Sequence, residues 1–252
     1  MEFDALLYLA MFGVALAAGF IDAIAGGGGL LTTPALLFAG VPPINAIATN
    51  KLQSTFGTAM ATVNFARAGL LDWRAHLPAV AWVFLGSAAG VLVVQQIDRA
   101  ALMLVIPALL IAVAGYVLLS PRMEDIDREA RLSERTYRPI AGGIGFYDGF
   151  FGPGTGSFFN ASLVGLRGMG LTRATGAAKL LNVTSNLAAL LLWVFSGYLL
   201  WWLGLVMAAG SLVGGWLGSH SAIRFGAPLI RPMLVAISLA LTAKATWDYF
   251  GG

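Results

Sequence analysis

Gly19-Phe20-Ile21-Asp22-Ala23-Ile24-Ala25-Gly26-Gly27-Gly28-Gly29 is the stretch that decides the fold, because the chain writes it a second time as Gly145-Phe146-Tyr147-Asp148-Gly149-Phe150-Phe151-Gly152-Pro153-Gly154-Thr155. Gly19, Phe20, Asp22, Gly26 and Gly28 match Gly145, Phe146, Asp148, Gly152 and Gly154 at an offset of 126. Beyond a two-residue indel, Ala46, Lys51, Leu52, Gly69, Trp73, Gly86 and Gly90 match Ala174, Lys179, Leu180, Gly197, Trp201, Gly214 and Gly218 at an offset of 128. Scattered glycine matches carry little weight in so glycine-rich a chain. The paired Asp, Lys and Trp carry much more, because each type is rare here.

Outward from that repeat the chain is short of charge. It has 252 residues, of which 58% are hydrophobic and 11% charged, with a mean hydropathy of +0.82. Soluble domains carry about 25% charged residues, so a soluble enzyme of this length is excluded. Of the 27 charged side chains, 10 crowd into Arg122–Arg138. Ala23–Asn50, Ala75–Ile97, Ala100–Pro121 and Leu180–Ile223 carry no Asp, Glu, Lys or Arg. A helical span needs about 20 apolar residues. The apolar runs are continuous, without the alternation of a membrane barrel. The sequence therefore predicts an all-α polytopic membrane protein, in contact with the lipid bilayer. The basic balance belongs to loop arginines rather than to nucleic-acid binding. The start, Met1-Glu2-Phe3-Asp4, lacks a basic n-region and is read as the beginning of the first span.

Each copy divides into five segments, at 5–24, 29–40, 46–66, 77–95 and 100–119, then 139–151, 156–166, 174–196, 199–220 and 228–249. Segments 29–40, 139–151 and 156–166 are short. Twelve helical residues reach about 18 Å, against a hydrocarbon core of about 30 Å, so half-helices or re-entrant pieces are expected there. The domains follow as repeat 1 over 1–120, a charged cytoplasmic linker over 121–138, read as a solvated link or short helix, and repeat 2 over 139–252. If the N-terminus is outside and every segment crosses, 11 of the 12 arginines fall inside and only Arg99 outside. That is the positive-inside pattern. An odd number of crossings makes the repeats inverted, each with about four long helices plus a short or broken segment, and puts both termini in the periplasm of an inner-membrane protein.

Four ionisable residues fall inside the apolar segments in matched pairs, Asp22 with Asp148 and Lys51 with Lys179. Such residues cost about 2.5–3.5 kcal/mol or more at the centre of a span. Lysines there attract an anion, while the aspartates neutralise them, gate the site or couple a proton. The competing reading is that they form internal salt bridges or cap broken helices. Downstream of each Asp lie Gly26, Gly27, Gly28 and Gly29, and Gly152, Gly154, Thr155 and Gly156 around Pro153. Glycine and proline weaken a helix interior, so both sites predict unwound backbone. The next half-helix then offers its N-terminal N–H groups to an anion, and the structural alternative is close helix packing. Asn50, Lys51, Gln53 and Ser54 follow in one half, and Lys179 and Asn182 in the other. Lys51, Ser54, Thr55 and Thr58 share a helix face, as do Lys179, Asn182 and Asn186. The competing reading of these polar groups is interhelical hydrogen bonding. Gly86-x-x-x-Gly90 and Gly214-x-x-x-Gly218 are helix-packing sites, and Trp73, Trp201 and Trp202 suit an interfacial belt. With no cysteine, and with His76 and His220 unmatched between the copies, no metal site, cofactor or thiol chemistry is expected.

The run Gly26-Gly27-Gly28-Gly29-Leu30-Leu31, Pro34-Ala35-Leu36-Leu37, Gly40-Val41-Pro42-Pro43, Ala46-Ile47-Ala48-Thr49-Asn50-Lys51-Leu52-Gln53-Ser54 and Gly69-Leu70-Leu71-Asp72-Trp73 resembles the TauE/SafE sulfite exporter family of bacterial permeases. The resemblance runs through both copies. It implies a secondary transporter that exports a small sulfur-containing anion such as sulfite, sulfoacetate or a related organosulfonate. The second copy departs from the first, with Gly-Pro-Gly-Thr-Gly in place of four glycines and Ala178 where Asn50 stands. The two half-sites are therefore expected to contribute unequally. An inside-negative potential pushes an anion outward, so export can run without a coupling ion. A proton- or cation-coupled importer and a channel-like pore are the alternatives. An intramembrane enzyme lacks a nucleophile–base set.

Overall fold

The computed structural model describes residues 4–98, 100–102, 105, 106, 108, 109, 112, 113, 124–226 and 228. Every regular element among them is a helix. The first half gives α1 (Ala5–Ala25), α2 (Gly29–Phe38), α3 (Pro43–Arg67) and α4 (Trp73–Val94). The second gives α5 (Glu134–Phe150), α6 (Thr155–Arg167), α7 (Leu171–Trp193) and α8 (Trp201–Phe225). Residues 229–249 of the last expected segment and most of 100–119 lie outside the described residues.

Local chemistry sets the ends. Asp4 accepts the Leu7 N–H at 2.7 Å and opens α1. Asp72 accepts the N–H groups of Arg74 and Ala75 and opens α4. Pro42 and Pro43 open α3, at the positions where a missing N–H costs nothing. The second half departs most from the expected bounds at two places: α8 runs on to Phe225, past 220, and α5 starts early. Its first helix begins at Glu134, not 139, because Ser133 caps it. That first turn is charged, so an apolar pattern does not reveal it. The added residues bring α5 to 17 residues, or about 25 Å. α2, with 10 residues, and α6, with 13, are short as expected.

α1, α4 and α8 are long and apolar enough to cross a membrane. α3 and α7 are as long but polar, and most of their residues are buried. The two halves pack reciprocally. The first helix of each half lies on the fourth helix of the other, α1 on α8 and α5 on α4, while α3 and α7 meet at the centre. Glycine makes those contacts close. A Cβ on Gly90 would meet the Phe146 carbonyl, and one on Gly218 the Phe20 carbonyl, which are equivalent contacts in the two copies. Gly19 lies against the Ser211 backbone as Gly145 lies against Val83. The packing reading of the Gly-x-x-x-Gly pairs thus has its partners. The buried clusters also join the halves, with Phe65 and Phe159 in one and Leu52, Phe151 and Trp193 in another.

The link between the halves is exposed but held. Asp125 accepts the Thr172 N–H at 2.8 Å and its hydroxyl at 2.6 Å. Asp127 accepts the Gly170 N–H at 2.7 Å and pairs with Arg173 at 2.5 Å. The start of α7 has no capping side chain of its own, and these linker carboxylates supply one. The Gly170 N–H, chiefly, and then the Arg173 guanidinium hold the Asp127 carboxyl below its ordinary range.

Candidate functional site

Both glycine-rich stretches break their helices. α1 stops at Gly26, whose φ of +82° lies in the left-handed region. Gly152 and Gly154, at +102° and +85°, turn the chain between α5 and α6. L side chains rarely adopt such angles. The breaks also touch. A Cβ on Gly26 would run into the Gly156 backbone, and the Ser157 hydroxyl donates to the Ala25 carbonyl at 3.0 Å. Unwound backbone and close packing therefore occur at the same residues.

The ionisable side chains cross between the halves. Lys51, on α3, pairs with Asp148, on α5, at 2.8 Å, and their side chains are 1% and 2% exposed. Lys179, on α7, pairs with Asp22, on α1, at 3.1 Å, and theirs are 0% and 18% exposed. Lys179 also donates to the backbone carbonyl of Asp22. Asp22 accepts the Gly28 N–H at 3.2 Å, so it caps the start of α2 as well. The salt-bridge and capping readings of the aspartates both describe the observed contacts. Burying four isolated charges would cost far more than a folded chain can bear, and the crossed pairing leaves the group neutral.

Around these pairs lies a small polar cavity of about 20 Å³, room for about one water. Of the residues singled out by sequence, Asp22, Gly26, Gly29, Asn50, Lys51, Ser54, Asp148, Gly152, Gly154, Thr155, Gly156 and Asn182 line it. Gly27, Gly28, Gln53 and Lys179 do not. Lys179 reaches the cavity only through Asp22. Gln53 stands behind Asn50, donating to its Oδ1 at 2.8 Å, and Thr32 donates to the same oxygen at 2.6 Å. Thr58 and Asn186 complete the wall. They occupy equivalent positions in the two copies, a signal the offset of 128 carried but the choice of site residues did not use. Thr32 was missed because it sits in an apolar segment.

The amides knit the halves together. Lys51 donates to Asn186 Oδ1 at 3.3 Å, and Asn186 donates to Asn182 Oδ1, also at 3.3 Å. The Thr32–Asn50–Gln53 cluster belongs to the first half, and Ala178 stands where the second half would have the counterpart of Asn50. No group of three or more His, Cys, Asp or Glu able to hold a metal occurs among the described residues.

Comparison with known proteins places this arrangement. Residues 11–245 match the family described as Sulfite exporter TauE/SafE. The chain is 45% identical over 247 residues to the Escherichia coli K12 "Probable membrane transporter protein YfcA", covering 98% of this chain and 92% of that protein. It is 46% identical over 239 residues to a Haemophilus influenzae "Probable membrane transporter protein", covering 94% of each. A Sinorhizobium protein, "Probable membrane transporter protein ORF9", is 42% identical over 239 residues, covering 94% of this chain and 92% of that one. No solved structure matches. The chain belongs to the TauE/SafE sulfite exporter family, and is a multi-pass membrane transporter rather than an enzyme.

Proposed function

We propose that the protein is a secondary transporter that exports a small sulfur-containing anion, sulfite or an organosulfonate such as sulfoacetate, across the bacterial inner membrane. The family match supplies the sulfur-anion class, and one observation supports an anion site: two buried lysines, each crossing to the aspartate of the other half, beside a polar cavity at two broken helices. The anion binds between the breaks. Lys51 supplies positive charge from the wall, and Lys179 supplies it once Asp22 lets go. Gly29, Gly152, Gly154 and Gly156, which line the cavity, supply N–H donors around the starts of α2 and α6. Asn50, Asn182 and Ser54 set specificity, with Gln53 holding Asn50 in place.

A cavity of about 20 Å³ takes a water rather than a sulfur oxyanion, so the described arrangement is the closed one. Opening requires an ion pair to part. Asp22 and Asp148 thereby act as gates, and inverted repeats rocking against each other would alternate access. The reciprocal helix pairing fits that geometry. A channel-like pore fits less well, because two ion pairs bridge its walls. Flux of radiolabelled sulfite in proteoliposomes tests the reading. Lys51→Ala and Lys179→Ala should each lower saturable flux at least tenfold, and unchanged flux in both would remove the lysines from the mechanism.

A further inference from the structure

The crossed pairs fix the net charge of the site. Lys51, Lys179, Asp22 and Asp148 sum to zero, and three of the four side chains are sealed from solvent. An anion entering that neutral site would leave a net negative charge in a poorly hydrated interior. Such a charge is strongly unfavourable unless something compensates it. The described residues offer no spare cation at the cavity. The other charged groups on the helices packed against Asp22 stand at far ends. Arg167 closes α6. Arg224 lies in the last turn of α8, and His220, a turn earlier, meets Asn64 and the Trp216 carbonyl. α2 has no ionisable side chain.

A proton on one carboxylate balances the charge. Of the two, the Asp148 side chain is 2% exposed and the Asp22 side chain 18%, so Asp22 is the carboxylate with an open face. We infer that the anion crosses as a monovalent species together with a proton carried on Asp22, making transport electroneutral. The inference rests on the permease reading above. The step balances: the Asp22 carboxylate takes a proton from water and releases the Lys179 ammonium. A monovalent anion, hydrogensulfite or a simple sulfonate, then faces two ammonium groups and one carboxylate, and the loaded site is again neutral. On release, the proton leaves and the Asp22–Lys179 pair re-forms. Export then follows the anion and pH gradients, not the membrane potential.

Proteoliposomes of the full chain test this, with protein-free vesicles as the blank. The probes are labelled sulfite and labelled isethionate, a strong acid whose charge is fixed, so a pH response to it belongs to the protein. A uniported monovalent anion would accumulate about 50-fold across a 100 mV potassium–valinomycin potential. The expected result is less than a twofold response to that potential. A gradient of one pH unit should instead give about tenfold accumulation on the alkaline side. Asp22→Asn should still exchange labelled for unlabelled anion, more slowly, but lose the pH response. Asp148→Asn, whatever its rate, should keep it, and Asp22→Glu should restore it. Anion flux that follows the potential and ignores pH would overturn the inference and leave the permease standing. Loss of the pH response in Asp148→Asn alone would overturn the assignment to Asp22. No flux above the blank for either probe would overturn the permease reading itself. If Asp22→Asn fails to fold, the wild-type potential and pH responses still decide.

Discussion

Lys51 and Asp148 show what a buried ion pair does here. Neither is in contact with solvent, and the pair sits 2.8 Å apart. Desolvating both charges cancels much of their attraction, so such a pair adds little net stability. Removing one partner is different, because it strands the other charge. Lys51→Met should therefore destabilise the fold by about 3–5 kcal/mol, and Lys51→Met with Asp148→Asn should recover most of that loss. Thermal unfolding in detergent reads both, and a double variant no more stable than the single one would contradict the pairing. These residues were legible in the sequence because they are rare, duplicated and embedded in apolar segments. Their crossed partnership was not, since the repeat aligns Lys51 with Lys179 and cannot say which aspartate each one reaches. Gln53 shows the same limit. Its neighbours in sequence mark it as polar and helical, but only the hydrogen bond to Asn50 places it behind the wall rather than in it.

At the scale of elements, the breaks were the most readable feature. Four glycines, or Gly-Pro-Gly, cannot continue a helix, and α1 and α5 end there. The ends at polar turns were harder. Ser133 and Glu134 begin α5 inside a stretch whose charge density reads as a linker, because a charged first turn suits a helix N-terminus as well as a loop. The linker itself carries a second lesson. Asp125 and Asp127 look like surface charges in sequence, yet they cap α7, the helix that bears Lys179. Nothing local in the sequence pairs them with residues more than 40 positions away. The short α2 and α6 follow directly from their few apolar residues between a glycine break and the next turn. Their starts are brought together because Gly26 and Gly156 have no side chains to keep them apart.

The whole molecule follows from duplication. Among the described residues the first helix of each half packs chiefly on the fourth helix of the other, so the two halves share their apolar burial. From the arginine placement we propose that the halves run oppositely through the membrane, with both termini outside. Single cysteines test this cleanly, since the chain has none. A cysteine at Asp4 should react with an impermeant thiol reagent from the periplasm, and one at Arg128 should not. Equal labelling at both would contradict the topology. The central claim is that the anion binds at the crossed pairs between the helix breaks. Selenite, the selenium counterpart of sulfite, gives the most direct measurement, as an anomalous peak in crystals grown with it. The account predicts the peak in the cavity, within hydrogen-bonding distance of Lys51 and Asn50, with one Lys–Asp pair parted. A bound selenite elsewhere, or a cavity still empty with both pairs intact under saturating selenite, would contradict it.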